Sequence, residues 1–165
     1  MMTNNMRIRP ALASDKSAIW VILEPIVRSG IYYHGFPSNM PEQEMLAFWF
    51  SPGHEIFVAE SDGIVVGTYV LRADPSGEDR VANCAYGTIN NFEGRGVGHA
   101  MCGHSLAIAR ERGYEAMQFN QVISTNTRAV KLWERNGFEI TDLAPKPFVH
   151  PSLGLTDMYV MYRKL

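Results

Sequence analysis

The stretch Glu93-Gly94-Arg95-Gly96-Val97-Gly98 decides the fold, because it places three alternating glycines where a predicted strand gives way to a helix. A turn of this kind leaves several N–H groups unpaired at the start of the helix, and the helix dipole adds to their positive field. Such a turn favours an anion such as a pyrophosphate, and glycine permits both close backbone approach and a positive φ. For a glycine triplet taken alone, an ordinary tight turn is an equally open interpretation.

Two familiar phosphate-binding motifs do not fit this stretch. A Walker A loop ends in Gly-Lys-Ser or Gly-Lys-Thr, whereas Gly98 is followed by His99 and Ala100. A Rossmann fingerprint requires a third glycine three residues after the second, and Met101 stands at that position. The sequence therefore argues against both classes of nucleotide site.

Outward from the glycines, hydrophobic periodicity predicts a mixed α/β fold. The predicted strands lie near residues 7–9, 55–61, 64–73, 81–89, 117–122, 138–143 and 157–163. One helix follows Ser14 as its N-cap, and others lie near 42–50, 97–112 and 126–136. Asp62-Gly63 predicts a hairpin, and the strand, helix, strand order around the glycines predicts at least one parallel pair.

Length and composition limit the class of protein. A chain of 165 residues fits one domain, which we expect to span residues 1–165, since domains average roughly 150 residues. A net charge of −2 argues against a nucleic-acid partner held by a basic surface. Two cysteines are too few for a disulfide scaffold. The apolar run at residues 45–50 is too short to span a membrane. Since no secretory leader pattern is evident, we expect a cytoplasmic protein without a membrane partner.

Two sequence blocks together resemble the GNAT superfamily of N-acetyltransferases. The glycine stretch matches the acyl-CoA-binding pattern Gln/Arg-x-x-Gly-x-Gly/Ala at every position except the first, where Glu93 stands. Residues 126–138 read Asn-Thr-Arg-Ala-Val-Lys-Leu-Trp-Glu-Arg-Asn-Gly-Phe and resemble the family's Asn-x-x-Ala-x-x-Leu-Tyr-x-x-x-Gly-Phe. One helix and one strand separate the blocks, as in the family. The resemblance runs from residue 7 to residue 163 and implies a mostly antiparallel sheet of six to seven strands flanked by about four helices.

The resemblance also implies where acetyl-CoA, the co-substrate, would bind. The backbone of Tyr86 and Thr88 would contact the pantetheine arm and the acetyl group, and Asn126 would hydrogen-bond the cofactor. Ala129 and Trp133 would line its sulfur end. Lys131 would bind a ribose phosphate, unless it belongs to a solvated helix face. The pyrophosphate would lie on Gly94, Arg95, Gly96, Val97, Gly98 and His99.

The residues that perform the chemistry are harder to assign. Trp133 stands where many family members have the tyrosine that protonates the leaving thiolate, and an indole N–H is no acid. Thiols ionise near pKa 8.5, so the leaving group can depart as thiolate. The strand near 81–89 has no carboxylate to serve as a base. The segments 81–86 and 118–120, which contain Asn83 and Asn120, resemble a branch of the family. That branch includes the yeast acetyltransferases that act on proline analogues such as azetidine-2-carboxylate.

In that branch the matching asparagines orient the acceptor, so we assign Asn83 and Asn120 catalytic and substrate-binding roles. The alternative is that each amide satisfies a buried sheet edge. Tyr32 and Tyr33 fall in the loop that often covers the acceptor site in the family, where they would contact substrate or simply pack. The spacing of His99 with its cysteine and histidine neighbours on the same helix does not fit a metal site, and we expect none.

The sequence thus predicts an acetyl-CoA-dependent N-acetyltransferase. Its acceptor would be the amine of a small molecule or an amino-acid-like compound, attacking directly through a tetrahedral intermediate. Two alternatives stay open: a protein or peptide amine acceptor, and a catalytically silent acyl-CoA-binding module. The resemblance also leaves a homodimer open.

Overall fold

The computed structural model describes residues 5–92 and 94–165, and nine strands and four helices lie within these ranges. The strands are β1 (Met6–Pro10), β2 (Glu55–Ser61), β3 (Ile64–Ala73), β4 (Val81–Thr88), β5 (Ala116–Ile123), β6 (Glu139–Leu143), β7 (Phe148–His150), β8 (Gly154–Thr156) and β9 (Met158–Lys164). The helices are α1 (Lys16–Ser29), α2 (Glu42–Trp49), α3 (Val97–Glu111) and α4 (Thr127–Arg135).

Seven strands form one sheet in the order β1-β2-β3-β4-β5-β9-β6, and β7 pairs with β8 in a separate hairpin. Neighbours in the large sheet are antiparallel except β4 and β5, which run parallel as expected for strands joined through a helix. The parallel pairing is short, since it joins Val81 to Ala116 and Ala82 to Met117 and then stops. Beyond Ala82 the two strands separate, which leaves an opening in the middle of the sheet.

Helices cover both faces of this sheet. On one face α1 and α2 bury Ile19, Leu23, Met45 and Trp49 against the sheet. On the other face α3 and α4 bury Val97, Met101, Cys102, Leu106 and Trp133 against Tyr69, Met117 and Phe119. Period-2 strands and period-3.6 helices each present one apolar side, so the layered arrangement follows from the sequence pattern.

The mixed α/β fold with a seven-stranded, mostly antiparallel sheet and four helices confirms the sequence prediction. The hairpin at Asp62-Gly63 joins β2 to β3, and the parallel strands β4 and β5 are connected through the glycine stretch and α3. The short strands β7 and β8 were not predicted.

The prediction that Ser14 caps the first helix is wrong. A 3-10 turn, Ala13–Asp15, precedes α1. The carboxylate of Asp15 accepts the Leu12 N–H at 2.7 Å and is bound by the Arg9 guanidinium at 2.8 Å. Asp15 therefore holds the turn before α1 in place, and the Ser14 side chain is exposed.

Within residues 5–92 and 94–165, the helices are all too short or too polar to cross a bilayer. Cys84 and Cys102 are both buried free thiols.

Candidate functional site

A large cleft occupies the opening between β4 and β5, with a volume of about 1790 Å³. It extends from the loop after α1, past both separated strands, to the start of α3 and one side of α4. Its lining among the described residues contains no Asp or Glu side chain. The cleft is therefore electrostatically suited to a ligand with negative charge.

The peptide groups of β4 alternate in direction along this cleft. The bonds from Asp74 N to Val81 O and from Ile89 N to Val66 O, both 2.9 Å, show that odd-numbered peptide groups of β4 face β3. The peptide groups of Cys84, Tyr86 and Thr88 must then face β5, because successive groups in a strand point to opposite sides. Since β5 has diverged there, these groups face the cleft instead of a strand. Tyr86 and Thr88, whose main chain is predicted to contact the cofactor, both line the cleft.

The start of α3 forms the far end of the cleft. Ala100 N donates to Gly96 O at 2.9 Å, whereas the N–H groups of Gly98 and His99 donate to no backbone carbonyl of the described residues. Gly94 and Gly96 have φ of 74° and 81°, a region that favours glycine. The turn therefore presents helix N–H groups to the cleft, as an anion site requires. Glu93 lies outside the described residues.

Gly98 also has a packing role, beside the contact with the pyrophosphate that the sequence predicts for it. A Cβ at this position would lie 2.9 Å from Cδ2 of Leu132, whereas a Cβ at Gly96 would meet no atom within 4 Å. Without a side chain at Gly98, Leu132 of α4 can approach α3 closely.

Basic side chains surround the glycine end of the cleft. His99, Lys131 and Arg128 all line it, and Nη2 of Arg128 lies 3.9 Å from where a Cβ on Gly94 would be. Sequence reasoning missed Arg128, although its place in the first turn of α4 was a usable signal. The guanidinium of Arg95 lies over the Phe92 ring, 4.7 Å from its centre, and a contact of Arg95 with the pyrophosphate stays a prediction.

The beginning of α4 places the other predicted cofactor residues. Asn126 is the N-cap, and its Oδ1 accepts the Ala129 N–H at 3.3 Å. Both residues line the cleft, as does Trp133. The buried Trp133 ring packs on Tyr86 and Phe119, each at 4.8 Å between ring centres. This aromatic contact fixes the wall of the cleft at the position of the family tyrosine.

Asn83 joins the two strands where their main-chain pairing stops. Its Nδ2 donates to the Gln118 carbonyl of β5 at 2.8 Å, and its Oδ1 accepts from Nε of Arg72 at 3.3 Å. The side chain is buried at the cleft wall. In this structure the Asn83 amide therefore hydrogen-bonds a main-chain carbonyl at the separated edge of β5. Its role in binding the acceptor stays a prediction.

Asn120 is held by a carboxylate that sequence reasoning missed. Its Nδ2 donates to Oδ1 of Asp74 at 2.6 Å, and its Oδ1 accepts from Nε2 of Gln118 at 2.8 Å. Asp74 is only 3% exposed and also accepts from the Ser76 hydroxyl. The signal for Asp74 was a single acid directly after a strand, but nothing local indicated its partner, which lies 46 residues away.

The loop after α1 enters the cleft with both predicted tyrosines. Tyr33 donates its hydroxyl to the Tyr86 carbonyl, and burial raises the pKa of this phenol. Tyr32 lines the cleft and is 44% exposed. Arg28 donates to the carbonyls of Ser38 and Met40, at 2.9 and 2.7 Å, and so ties the end of the loop to α1.

The histidines and the cysteine at the start of α3 do not converge. Cys102 is buried, His104 is bonded to the Tyr69 hydroxyl at 2.7 Å, and His99 is exposed. No cluster of potential metal ligands occurs in residues 5–92 and 94–165.

Comparison with known proteins identifies the class. Residues 26–138 match the model of the acetyltransferase (GNAT) family, and the chain belongs to that family. It is 35% identical over 112 residues to a mycothiol acetyltransferase of Propionibacterium freudenreichii, covering 64% of this chain and 36% of that protein. It is 26% identical to a probable N-acetyltransferase camello of Xenopus tropicalis, covering 81% of this chain and 64% of that protein. The chain thus spans about one to two thirds of these relatives.

Solved structures agree with the family assignment. A GCN5-related N-acetyltransferase from Kribbella flavida is 32% identical, with a TM-score of 0.89 over 97% of this chain and 98% of that one. A putative acetyltransferase from Salmonella typhimurium, solved with its cofactor acetyl-CoA, has the same fold. It is 23% identical, with a TM-score of 0.82 over 98% of this chain and 94% of that one.

Proposed function

We propose that this chain is an acetyl-CoA-dependent N-acetyltransferase that acts on the amine of a small molecule. The observation that carries the proposal is the opening between β4 and β5. There, peptide groups of β4 that pair with no neighbouring strand lead toward a helix N-terminus ringed by basic side chains. Membership of the acetyltransferase (GNAT) family and the acetyl-CoA bound to the Salmonella typhimurium protein support it.

The length of the cleft along β4 and its lack of acidic lining residues, within the described part of the chain, support acetyl-CoA as its ligand. The pantetheine arm would run along β4 and use the peptide groups of Tyr86 and Thr88 in place of a neighbouring strand. The pyrophosphate would rest on the N–H groups at the start of α3, with Arg128 adding positive charge. Asn126 would keep its capping bond and offer its Nδ2 group to the cofactor.

The bound thioester supplies an activated acetyl carbon for attack by a neutral amine. The chain's own contribution is then mainly electrostatic. Peptide N–H groups of β4 that face the cleft would stabilise the developing oxyanion. Trp133 would shape the sulfur end without giving up a proton. As the C–S bond of the tetrahedral intermediate breaks, the coenzyme sulfur would leave as thiolate, which a thiol pKa near 8.5 permits, and the amine nitrogen would release its proton to water.

The acceptor would approach from the end of the cleft formed by Asn83, Asn120 and the loop with Tyr32 and Tyr33. We infer that Asn120, fixed by Asp74, orients the acceptor, as in the branch that includes the yeast enzymes for proline analogues. The Asp74 carboxylate is only 3% exposed and already accepts hydrogen bonds from Asn120 and Ser76. Its proposed role is therefore to position Asn120.

Release of free thiol from acetyl-CoA across a panel of amines tests the proposal. Turnover of small amines supports it, and acetylation of lysine peptides alone would assign a protein acceptor. Binding of acetyl-CoA without turnover of any amine would favour the silent acyl-CoA-binding module that Trp133 raises.

Asn120→Ala tests the acceptor-positioning role. It should lower kcat by about tenfold or more, since a hydrogen bond near the reacting group contributes about 1–2 kcal/mol. The acetyl-CoA affinity should change much less. Asn91→Ala, an exposed asparagine outside the cleft lining, is the matched control. Equal losses of turnover and acetyl-CoA affinity would show that Asn120 does not position the acceptor.

Gly96→Leu tests the glycine turn. Because φ at Gly96 is 81°, a leucine would distort the turn, and calorimetry should detect no acetyl-CoA binding while circular dichroism stays native. Gly103→Ala, further along α3 and in open space, should bind acetyl-CoA normally. Unchanged affinity of the Gly96 variant would exclude the turn from the site.

A further inference from the structure

The cleft carries positive charge at two separate places. One is the glycine end with its basic side chains, and the other is Arg72, which lies opposite Asn83 in the register of β3 and β4. Five residues of β4 separate Asn83 from Thr88, which corresponds to about 17 Å at 3.3 Å per residue. The charge of Arg72 is therefore too far from the glycine end to serve the same phosphates. It belongs to the acceptor end.

Arg72 has unused hydrogen-bonding capacity. Its Nε donates to Asn83, and its guanidinium lies 5.6 Å from the centre of the Phe48 ring. Within residues 5–92 and 94–165, its Nη1 and Nη2 atoms make no hydrogen bond, and no carboxylate forms an ion pair with it. The side chain is half-buried; burial lowers its pKa, and the charge of Asp74 partly opposes that shift. Asp74 forms no ion pair with Arg72, so the Nη atoms in the cleft wall are incompletely compensated.

The nearest candidate partner in sequence, Asp74, is already engaged. Its side chain accepts from Asn120 and Ser76, and it is almost fully buried. Asp74 therefore holds Asn120 in place, and the Nη atoms of Arg72 remain for a ligand. The contacts of Arg72 with Asn83 and Phe48 hold its guanidinium plane in position, which favours a planar, two-oxygen partner.

We propose that Arg72 binds a carboxylate of the acceptor, so that the acceptor is a short amino acid or another small amino-carboxylate. This rests on the proposed acetyltransferase function and names its substrate class. The carboxylate would sit on Arg72, and the amine would point toward the peptide groups of Tyr86, three residues further along β4. The absence of Asp and Glu from the described lining disfavours polyamines, which need acidic partners.

Matched acceptors test this on the unaltered protein. Thiol release from acetyl-CoA is measured with the twenty amino acids, their carboxamides and the corresponding decarboxylated amines. For the best amino acid, kcat/KM should exceed that of its amide by about 100-fold, because two charge-assisted hydrogen bonds are lost. Preference for amides or decarboxylated amines overturns the inference and leaves the acetyltransferase function standing. No turnover with any amine overturns both.

A variant series assigns the effect to Arg72. Arg72→Gln should lower kcat/KM for the amino acid by about 100-fold and change kcat/KM for the amide little, so that the preference disappears. Arg72→Lys should restore part of it, since lysine keeps the charge without the planar fork. Arg110→Gln, an exposed arginine on α3, is the control. Equal loss for the amino acid and the amide would show a merely structural role for Arg72.

Discussion

Gly67→Ala should destabilise the protein through steric overlap alone. Gly67 lies on β3 under the first turn of α3, and its backbone is not in the positive-φ region. An added Cβ would lie 2.9 Å from both Sδ of Met101 and Cγ1 of Val97, so each neighbour must retreat by about half an ångström to reach ordinary contact. Met101 is flexible, but Val97 is β-branched and buried.

Overpacking of this kind costs about 1–3 kcal/mol, and the reduced entropy of the unfolded chain returns about 0.5–1 kcal/mol. The net loss should be about 0.5–2 kcal/mol. In urea unfolding, with a slope of about 2 kcal/mol per molar, the midpoint should fall by about 0.25–1 M.

Gly103→Ala is the matched control for this prediction. Gly103 lies inside α3, where an added Cβ meets no atom within 4 Å. Alanine there should stabilise the helix by about 0.5–1 kcal/mol and raise the midpoint. Both variants add one methyl group to a glycine outside the positive-φ region, and they differ in secondary structure and in what surrounds that methyl group. A Gly67 variant as stable as the parent, or both midpoints moving the same way, would refute the packing argument.

The remaining predictions concern charge and hydrogen bonding. Burial raises the pKa of both Cys84 and Cys102 to about 12, so mass spectrometry should show both unalkylated by iodoacetamide at pH 8 and labelled only after unfolding. The hydrogen bond from Arg9 lowers the pKa of Asp15 below 3.8. Asp15→Asn should therefore lower the free energy of unfolding by about 2 kcal/mol at pH 7. In urea titrations this difference between variant and parent should disappear as the pH falls below 3.8, because the Asp15 carboxylate is then protonated. A pH-independent difference would contradict the ion pair. Tyr33→Phe frees a β4 carbonyl and should tighten acetyl-CoA binding by about fivefold in calorimetry, whereas weaker binding would show that the hydroxyl does not compete.

The sequence was sufficient for the main sheet because long alternating strands and a glycine-marked helix start are local patterns. The strands β7 and β8 have three residues each, too few for an alternation to be visible. Ser14 was misassigned because two acceptable capping residues are adjacent, and the choice between them depends on Arg9, which is brought near by the strand before the turn.

For the candidate site, the sequence predicted the position of main-chain groups better than the hydrogen-bond partners of the side chains. Strand order alone brings the peptide groups of Tyr86 and Thr88 to the opening. The partners of Asn120 and Asn83 depend on the register of strands that are far apart in sequence, with separations of 46 and 35 residues to Asp74 and Gln118. No local pattern contains that information, so Asp74 and Arg72 emerge only from the folded chain.

The early end of the β4–β5 pairing makes the sheet two half-sheets, β1 to β4 and β5 with β9 and β6, joined along a short seam. A ligand that fills the opening and bonds to β4 completes the seam from outside the chain. Ligand binding would then stabilise the association of the two half-sheets. A ligand concentration of about 100 times Kd would add about 2.7 kcal/mol to the free energy of unfolding. The co-substrate would then take the place of a neighbouring strand along this part of β4.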